Sequence, residues 1–172
     1  MKKAIYTLLF LISVTLNGQQ KTDTQGFKHM LNALLSHTVK TVSPEDCNTT
    51  DIVFLDTRAQ EEYKISHINN AIWCDYNSFK IKHLKNIDKN AKIVVYCTVG
   101  YRSEKIGEKL QRAGFTNVSN LYGGIFAWAT AGKTLYNANG KTNNIHTYNK
   151  DWAKWLTTGN AVYNSKKTNS NN

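Results

Sequence analysis

Short runs that are apolar throughout constrain this chain more than any other feature. Ile52-Val53-Phe54-Leu55 and Ile93-Val94-Val95-Tyr96 show no alternation of apolar with polar residues. A strand with one face in water alternates, whereas a continuous apolar run of this length suits a strand covered on both faces, as in a parallel sheet. Ala71-Ile72-Trp73-Cys74 and Val118-Ser119-Asn120-Leu121 are two further candidate strands. Helical patterns lie between them. Residues 61–64 and 78–84 can each form about a turn, and residues 103–113 form the clearest helix, stopped by Gly114 as a helix C-terminus should be. Strands alternating with helices predict an α/β domain, a three-layer fold with a mainly parallel central sheet flanked by helices.

The length of 172 residues allows one domain and a short appendage, and 41% hydrophobic residues with a single Pro exclude a disordered or collagen-like chain. The start reads as a secretory signal peptide over residues 1–18: Met1-Lys2-Lys3, then no charge over residues 4–16, then Asn17-Gly18. The apolar run is shorter than the roughly 18 residues of a membrane span. An exported protein is therefore expected, periplasmic or extracellular, with no membrane partner once the signal is cut. Phe27, Met30, Leu31, Leu34 and Leu35 have helical spacing and mark an N-terminal helical extension over 19–38. Residues 39–42 read as extended, and Ser43-Pro44-Glu45-Asp46 reads as a helix start. Trp152, Trp155 and Leu156 predict a C-terminal helical extension over 137–164, and the Lys/Asn/Ser-rich residues 165–172 a disordered tail. Lys+Arg is 22 against 12 Asp+Glu, a net charge of +10, but no basic run exceeds Lys166-Lys167. Dispersed lysines on an exported chain argue against a nucleic-acid partner and leave a modest attraction for anionic substrates.

The chemistry concentrates in Tyr96-Cys97-Thr98-Val99-Gly100-Tyr101-Arg102-Ser103. This stretch leaves a buried-type strand and enters a helix, which is where open parallel sheets place ligands. Backbone N–H groups at the helix start converge on an anion. A cysteine at the loop's beginning points its sulfur into that field, and Arg102 adds a positive charge. Gly100 permits a turn that a side chain hinders. Cys97 is thus the candidate nucleophile, with Thr98, Val99, Gly100, Tyr101 and Arg102 as the substrate-binding loop.

Around this loop the chain resembles the rhodanese-like, single-domain sulfurtransferase family. The resemblance rests on Asp56-Thr57-Arg58, Glu62-Tyr63, His67-Ile68, Asn70-Ala71-Ile72, the loop from Cys97 to Ser103, Gly114-Phe115, Leu121-Tyr122-Gly123-Gly124 and Ala127-Trp128. These ordered motifs span residues 39–136, the expected rhodanese-like domain. The resemblance implies a thiosulfate-sulfurtransferase type of enzyme. Cys97 takes sulfane sulfur from a small anionic donor such as thiosulfate or a polysulfide, becomes a persulfide, and passes the sulfur to a thiol, cyanide or protein-thiol acceptor. It implies no cofactor and no metal. Asp56, Arg58 and Ser103 are carried over as supporting positions, the first two orienting loops at the sheet's carboxyl end. Arg102 either attracts the donor or holds the loop through a carboxylate, with attraction favoured. A non-catalytic binding module is the alternative reading. A phosphatase or arsenate reductase on the same fold is disfavoured, because related phosphatases have a loop one residue longer than the six from Cys97 to Arg102. Cys47 and Cys74 are expected to fill the core, or else to pair as a disulfide.

Overall fold

The computed structural model describes residues 24–163. The expected signal peptide over 1–18 and the expected tail over 165–172 lie outside these residues. Helix α1 (24–34) belongs to one unit, and a second unit runs from Leu35 onward. Its apolar residues Phe27, Met30, Leu31 and Leu34 recur at three- and four-residue spacing.

The second unit is built on a five-stranded sheet in the order β1-β6-β5-β2-β4. Its strands are β1 (Thr41–Val42), β2 (Val53–Asp56), β4 (Ile72–Trp73), β5 (Ile93–Tyr96) and β6 (Val118–Leu121), and every pairing in it is parallel. The chain is therefore an α/β protein with a mainly parallel central sheet flanked by helices, as the apolar runs predict. β5 is buried at all four positions, which explains why it has no polar residue to alternate. Ile93 and Val95 point to one face, where Ile106 and Leu110 of helix α3 (Tyr101–Arg112), Leu55, Val39, Phe115 and Val118 close a core. Phe54, on the opposite side of β2 from Leu55, meets Trp128 of helix α4 (Gly124–Thr130) edge-on, with ring centroids 5.4 Å apart. The sheet is thus covered on both faces.

Ala71-Ile72-Trp73-Cys74 behaves differently. β4 is the sheet edge, and Ile72 and Trp73 are exposed. Ser43-Pro44-Glu45-Asp46 starts no helix. It closes a turn, with the Asp46 N–H on the Ser43 carbonyl at 3.2 Å and the Ser43 hydroxyl on the Asp46 carboxylate at 2.9 Å. The Ser and Asp side chains satisfy each other locally instead of capping a helix.

Helix α2 (Gln60–Ile65) follows β2. A second sheet joins β3 (His67–Ile68), β7 (Leu135–Asn137) and β8 (Gly140–Thr142) in antiparallel fashion, and β9 (Asn144–His146) pairs in parallel with β10 (Asn160–Val162). The expected helical extension over 137–164 is therefore mostly strand and turn, with one short helix, α5 (Lys150–Ala153). The reason is local. Asn137-Ala138-Asn139-Gly140 makes a hairpin turn, with Gly140 at φ 108° and the Asn139 N–H on the Asn137 side chain. The spacing of Trp152, Trp155 and Leu156 covers only the short helix and the residues after it.

Candidate functional site

The order of strands reverses between β2 and β5. β4 lies on one side of β2, and β5 followed by β6 on the other. Loops leaving the carboxyl ends of two such strands diverge and open a crevice. Asp56-Thr57-Arg58 leaves β2 there and Cys97 leaves β5. The two are stitched together by the Thr57 N–H and hydroxyl, both donating to the Tyr96 carbonyl at 3.0 and 3.1 Å.

Cys97 is buried, with 2% of its surface exposed, and its Sγ accepts the Gly100 N–H at 3.1 Å. Gly100 holds φ 117°, so the turn that brings this N–H back onto the sulfur requires glycine. Its carbonyl is pinned by the Ser103 hydroxyl and by the Asn120 amide, both at 3.0 Å. Ser103 in turn donates to the Asn120 Oδ1 at 2.7 Å. Of the loop side chains, Thr98 and Val99 are buried and Tyr101 is exposed.

Arg102 does not face outward alone. Its guanidinium forks onto Glu62 with contacts of 2.7 and 2.8 Å, and its Nη2 also donates to the Thr98 hydroxyl at 2.8 Å. Glu62 further accepts the Thr98 hydroxyl at 3.1 Å and the Ala59 N–H at 3.1 Å. Burial alone pushes the Glu62 carboxyl up, but the Arg102 hydrogen bonds and charge, with Arg58 behind them, outweigh this and hold it below the usual carboxylate range. Burial likewise works against the charge on Arg102, and the hydrogen bonds it donates to Glu62, with the nearby Cys97, reverse that, so its pKa is raised. The sequence favours Arg102 as an attractor of substrate; the geometry has it engaged in holding the loop. Glu62 appears in the sequence only as one residue of a motif, because its partners lie 36 and 40 positions away.

Asp56 and Arg58 form an ion pair with both side chains fully buried. Arg58 Nη2 meets Asp56 Oδ2 at 2.6 Å and Nε meets Oδ1 at 3.0 Å. The Arg58 guanidinium also donates to the Ser66 carbonyl, and its Nη1 is buried without a hydrogen-bond partner among the described residues. The pair sits beneath the loop, beside Tyr96, and ties β2 to the turn before β3.

Gly124 is a second residue whose importance is tertiary. α4 starts against the cysteine loop, where the Ile125 N–H donates to the Cys97 carbonyl at 2.9 Å and the Phe126 N–H to that of Thr98 at 3.3 Å. A Cβ on Gly124 would stand 2.6 Å from the Thr98 carbonyl oxygen and closer still to that of Cys97. Any side chain there must displace the loop.

Cys47 and Cys74 lie outside the loop. Both are buried free thiols, not a disulfide. Burial raises the pKa of Cys47, and burial with Asp56 and Asp75 pushes that of Cys74 up to about 12, so both stay protonated. His67 stacks on Tyr63 with centroids 4.0 Å apart, and its Nδ1 lies 2.9 Å from the Tyr63 carbonyl. His146 is buried on β9. Its Nδ1 accepts the Tyr148 N–H at 3.1 Å, and that turn sets the Tyr148 ring over Arg102, with the guanidinium carbon 5.5 Å from the ring centroid.

Comparison with known proteins agrees with this geometry in fold and corrects the expected function. A rhodanese-related protein from Thermoplasma volcanium has a similar solved structure, 26% identical, with a TM-score of 0.51 over 56% of this chain and 96% of that one. A thiosulfate sulfurtransferase from Pseudomonas aeruginosa, at 21% identity and a TM-score of 0.55 over 78% of this chain and 26% of that one, shares the fold alone. The curated relatives point elsewhere. A tRNA uridine(34) hydroxylase of Streptococcus pyogenes is 41% identical over 88 residues, 48% of this chain and 26% of that protein. One of Bacillus pumilus is 36% identical over 103 residues, 55% of this chain and 32% of that protein. The chain thus spans about a third or less of the length of these relatives. Their name overturns the expectation of a single-domain sulfurtransferase working through a Cys97 persulfide on a small sulfur donor. Those relatives carry tRNA in their name, which also goes against the expected exclusion of nucleic acid and the expected periplasmic or extracellular location. The error has a physical source: a cysteine in a strand-to-helix loop of a parallel sheet suits several chemistries and does not select the substrate. Residues 44–131, more than half of the chain, match the model of the rhodanese-like domain, and the chain belongs to that family.

Proposed function

We propose that this chain acts in tRNA modification, as an enzyme of the tRNA uridine(34) hydroxylase class, with Cys97 as its catalytic residue. The observation that carries this reading is the shared name of relatives that are 34–41% identical over 83–103 residues. The site supports it. Cys97 supplies a thiol fixed by the Gly100 N–H, the Glu62–Arg102 fork holds Thr98 beside it, and Val99 and Tyr101 complete the loop. Asp56, Arg58 and Ser103 act beneath, as positioning residues. The net charge of +10 suits a polyanionic RNA, because dispersed lysines can neutralise phosphates along an extended contact.

The test is chemical. The full chain is expressed in a bacterial strain lacking its own uridine(34) hydroxylase, and the tRNA is digested to nucleosides. Hydroxylation is a two-electron oxidation that needs an external oxygen donor, so the cells are grown in air, and a uridine heavier by one oxygen is expected at position 34. Cys97→Ser is expected to lower its yield by about 100-fold or more, as loss of a reacting nucleophile does. Absence of the product with the wild-type chain overturns the reading, and so does full activity in Cys97→Ser.

A further inference from the structure

Tyr148 lies outside the residues that match the family, yet it reaches the cysteine loop. Three observations at this residue do not follow from stability. It is 57% exposed, more than the other exposed large hydrophobic side chains among the described residues, of which Tyr101 is next at 43%. Its φ is 67°, a left-handed conformation that is strained for a bulky residue. The turn around it is nevertheless closely fixed: the Tyr148 N–H is held by His146 Nδ1 at 3.1 Å, the Thr147 N–H by the Val162 carbonyl at 2.8 Å, and the Thr147 hydroxyl by the Asn149 carbonyl at 3.1 Å. A strained backbone maintained by its surroundings, while the side chain gains little burial, points to a task for that side chain.

We propose that Tyr148 is a substrate-binding residue that stacks an unpaired base of the RNA, the target uridine, on its ring, with Arg102 on the ring's other side. The proposal rests on the functional reading above and names how the substrate is held. Arg102 covers one face of the ring, and the exposure leaves room for a planar group on the other. Unpaired bases of RNA are recognised by stacking on aromatic and arginine planes. Tyr101, also exposed at the start of α3, offers a second ring beside the same loop. Because Arg102 is tied to Glu62 and Thr98, a base seated on Tyr148 is held in fixed relation to the loop that begins at Cys97.

The test measures binding of the full chain to two labelled anticodon stem-loop RNAs at one fixed salt concentration. One carries uridine at position 34 and the other an abasic site there. Tyr148→Ala is expected to weaken binding of the uridine RNA by about tenfold and that of the abasic RNA by much less. Tyr148→Phe, which keeps the ring, is expected to bind both as the wild type does. In turnover, Tyr148→Ala is expected to raise KM with little change in kcat. Equal loss on both RNAs, or no loss on either, overturns the stacking role while leaving the hydroxylase reading in place. A wild-type chain that binds neither RNA overturns both.

Discussion

Two arginine–carboxylate pairs stand at the carboxyl ends of β2 and β5, and each arginine lies over a tyrosine at nearly the same distance. Arg58 pairs with Asp56 and sits 5.6 Å from the Tyr96 ring centroid; Arg102 pairs with Glu62 and sits 5.5 Å from that of Tyr148. The first set is closed. Arg58, Asp56 and Tyr96 are all 0% exposed, and burial with Asp56 drives the Tyr96 hydroxyl well above its ordinary pKa, so it stays protonated while accepting the Ile68 N–H at 3.1 Å. The second set is open on one side, with Arg102 at 19% and Tyr148 at 57% exposure. The same chemical parts serve as fixed scaffold in one place and as a surface that can meet a ligand in the other. Water access separates the two roles.

The contrast is broken most directly by removing each arginine. Arg58→Met leaves the Asp56 carboxylate in a dry interior without its counter-charge, which is expected to cost about 3–5 kcal/mol. Denaturant unfolding measures it. Adding Asp56→Leu removes the stranded charge and is expected to recover part of the loss. If the single variant costs less than the double, the pair is not what holds this region.

Arg102→Met is expected to cost less, about 1–3 kcal/mol, because Glu62 keeps the Thr98 hydroxyl and the Ala59 N–H and water can enter from the exposed side. Its activity is expected to fall further than its stability suggests, since the Cys97 loop loses the forked contact to α2 and keeps the Thr98–Glu62 hydrogen bond. Arg102→Lys restores the charge but not the fork, and is expected to rescue stability more than turnover. Equal unfolding costs for Arg58→Met and Arg102→Met would erase the distinction between a closed and an open pair.

How far the sequence reveals these sets follows from the range of the interactions. β5 and β6 are legible because full burial removes every polar residue from the first and leaves the second bounded by turns. β9 and β10 are not, because their Asn, Thr and Gly neighbours carry no periodicity and only mutual pairing orders them. In the site, Cys97, Gly100 and Arg102 are adjacent in sequence, and the strand-loop-helix context exposes their chemistry. Glu62, Gly124 and Tyr148 matter through partners far away in sequence. Gly124 matters through a clash with carbonyls 26 and 27 positions earlier, and Tyr148 through a left-handed turn with no glycine to signal it. Substrate identity is the least legible, because Cys97 and its amide cradle suit several chemistries.

Acid sharpens the comparison further. The Glu62 carboxyl is held below its ordinary value near 4.5 in the folded chain, so the stability it contributes is complete above that value. As pH falls, the unfolded chain takes up the proton first, and the contribution disappears as pH drops through the lowered folded value. Glu62→Gln has no proton to take up. The stability gap between wild type and Glu62→Gln, measured by urea unfolding at a series of pH values, is therefore expected to be constant near neutrality and to narrow below about 4.5. A gap that persists unchanged into strong acid would mean that Glu62 acts by shape and not by charge.

The smallest effect is expected at the open tyrosine. Tyr148→Gly relieves a left-handed backbone, which favours the variant by roughly 0.5–1 kcal/mol, and loses a partly exposed cation–π contact of about the same size. The two terms nearly cancel, and the extra freedom of glycine in the unfolded chain offsets part of any gain. Thermal unfolding of Tyr148→Gly is thus expected to match the wild type closely. A clear loss of stability would show that the ring shields the Arg102–Glu62 pair as Tyr96 shields Arg58, and the open set would then be a second piece of scaffold. An unchanged melting temperature, with RNA binding weakened as in Tyr148→Ala, keeps the ring on the ligand's side of that division.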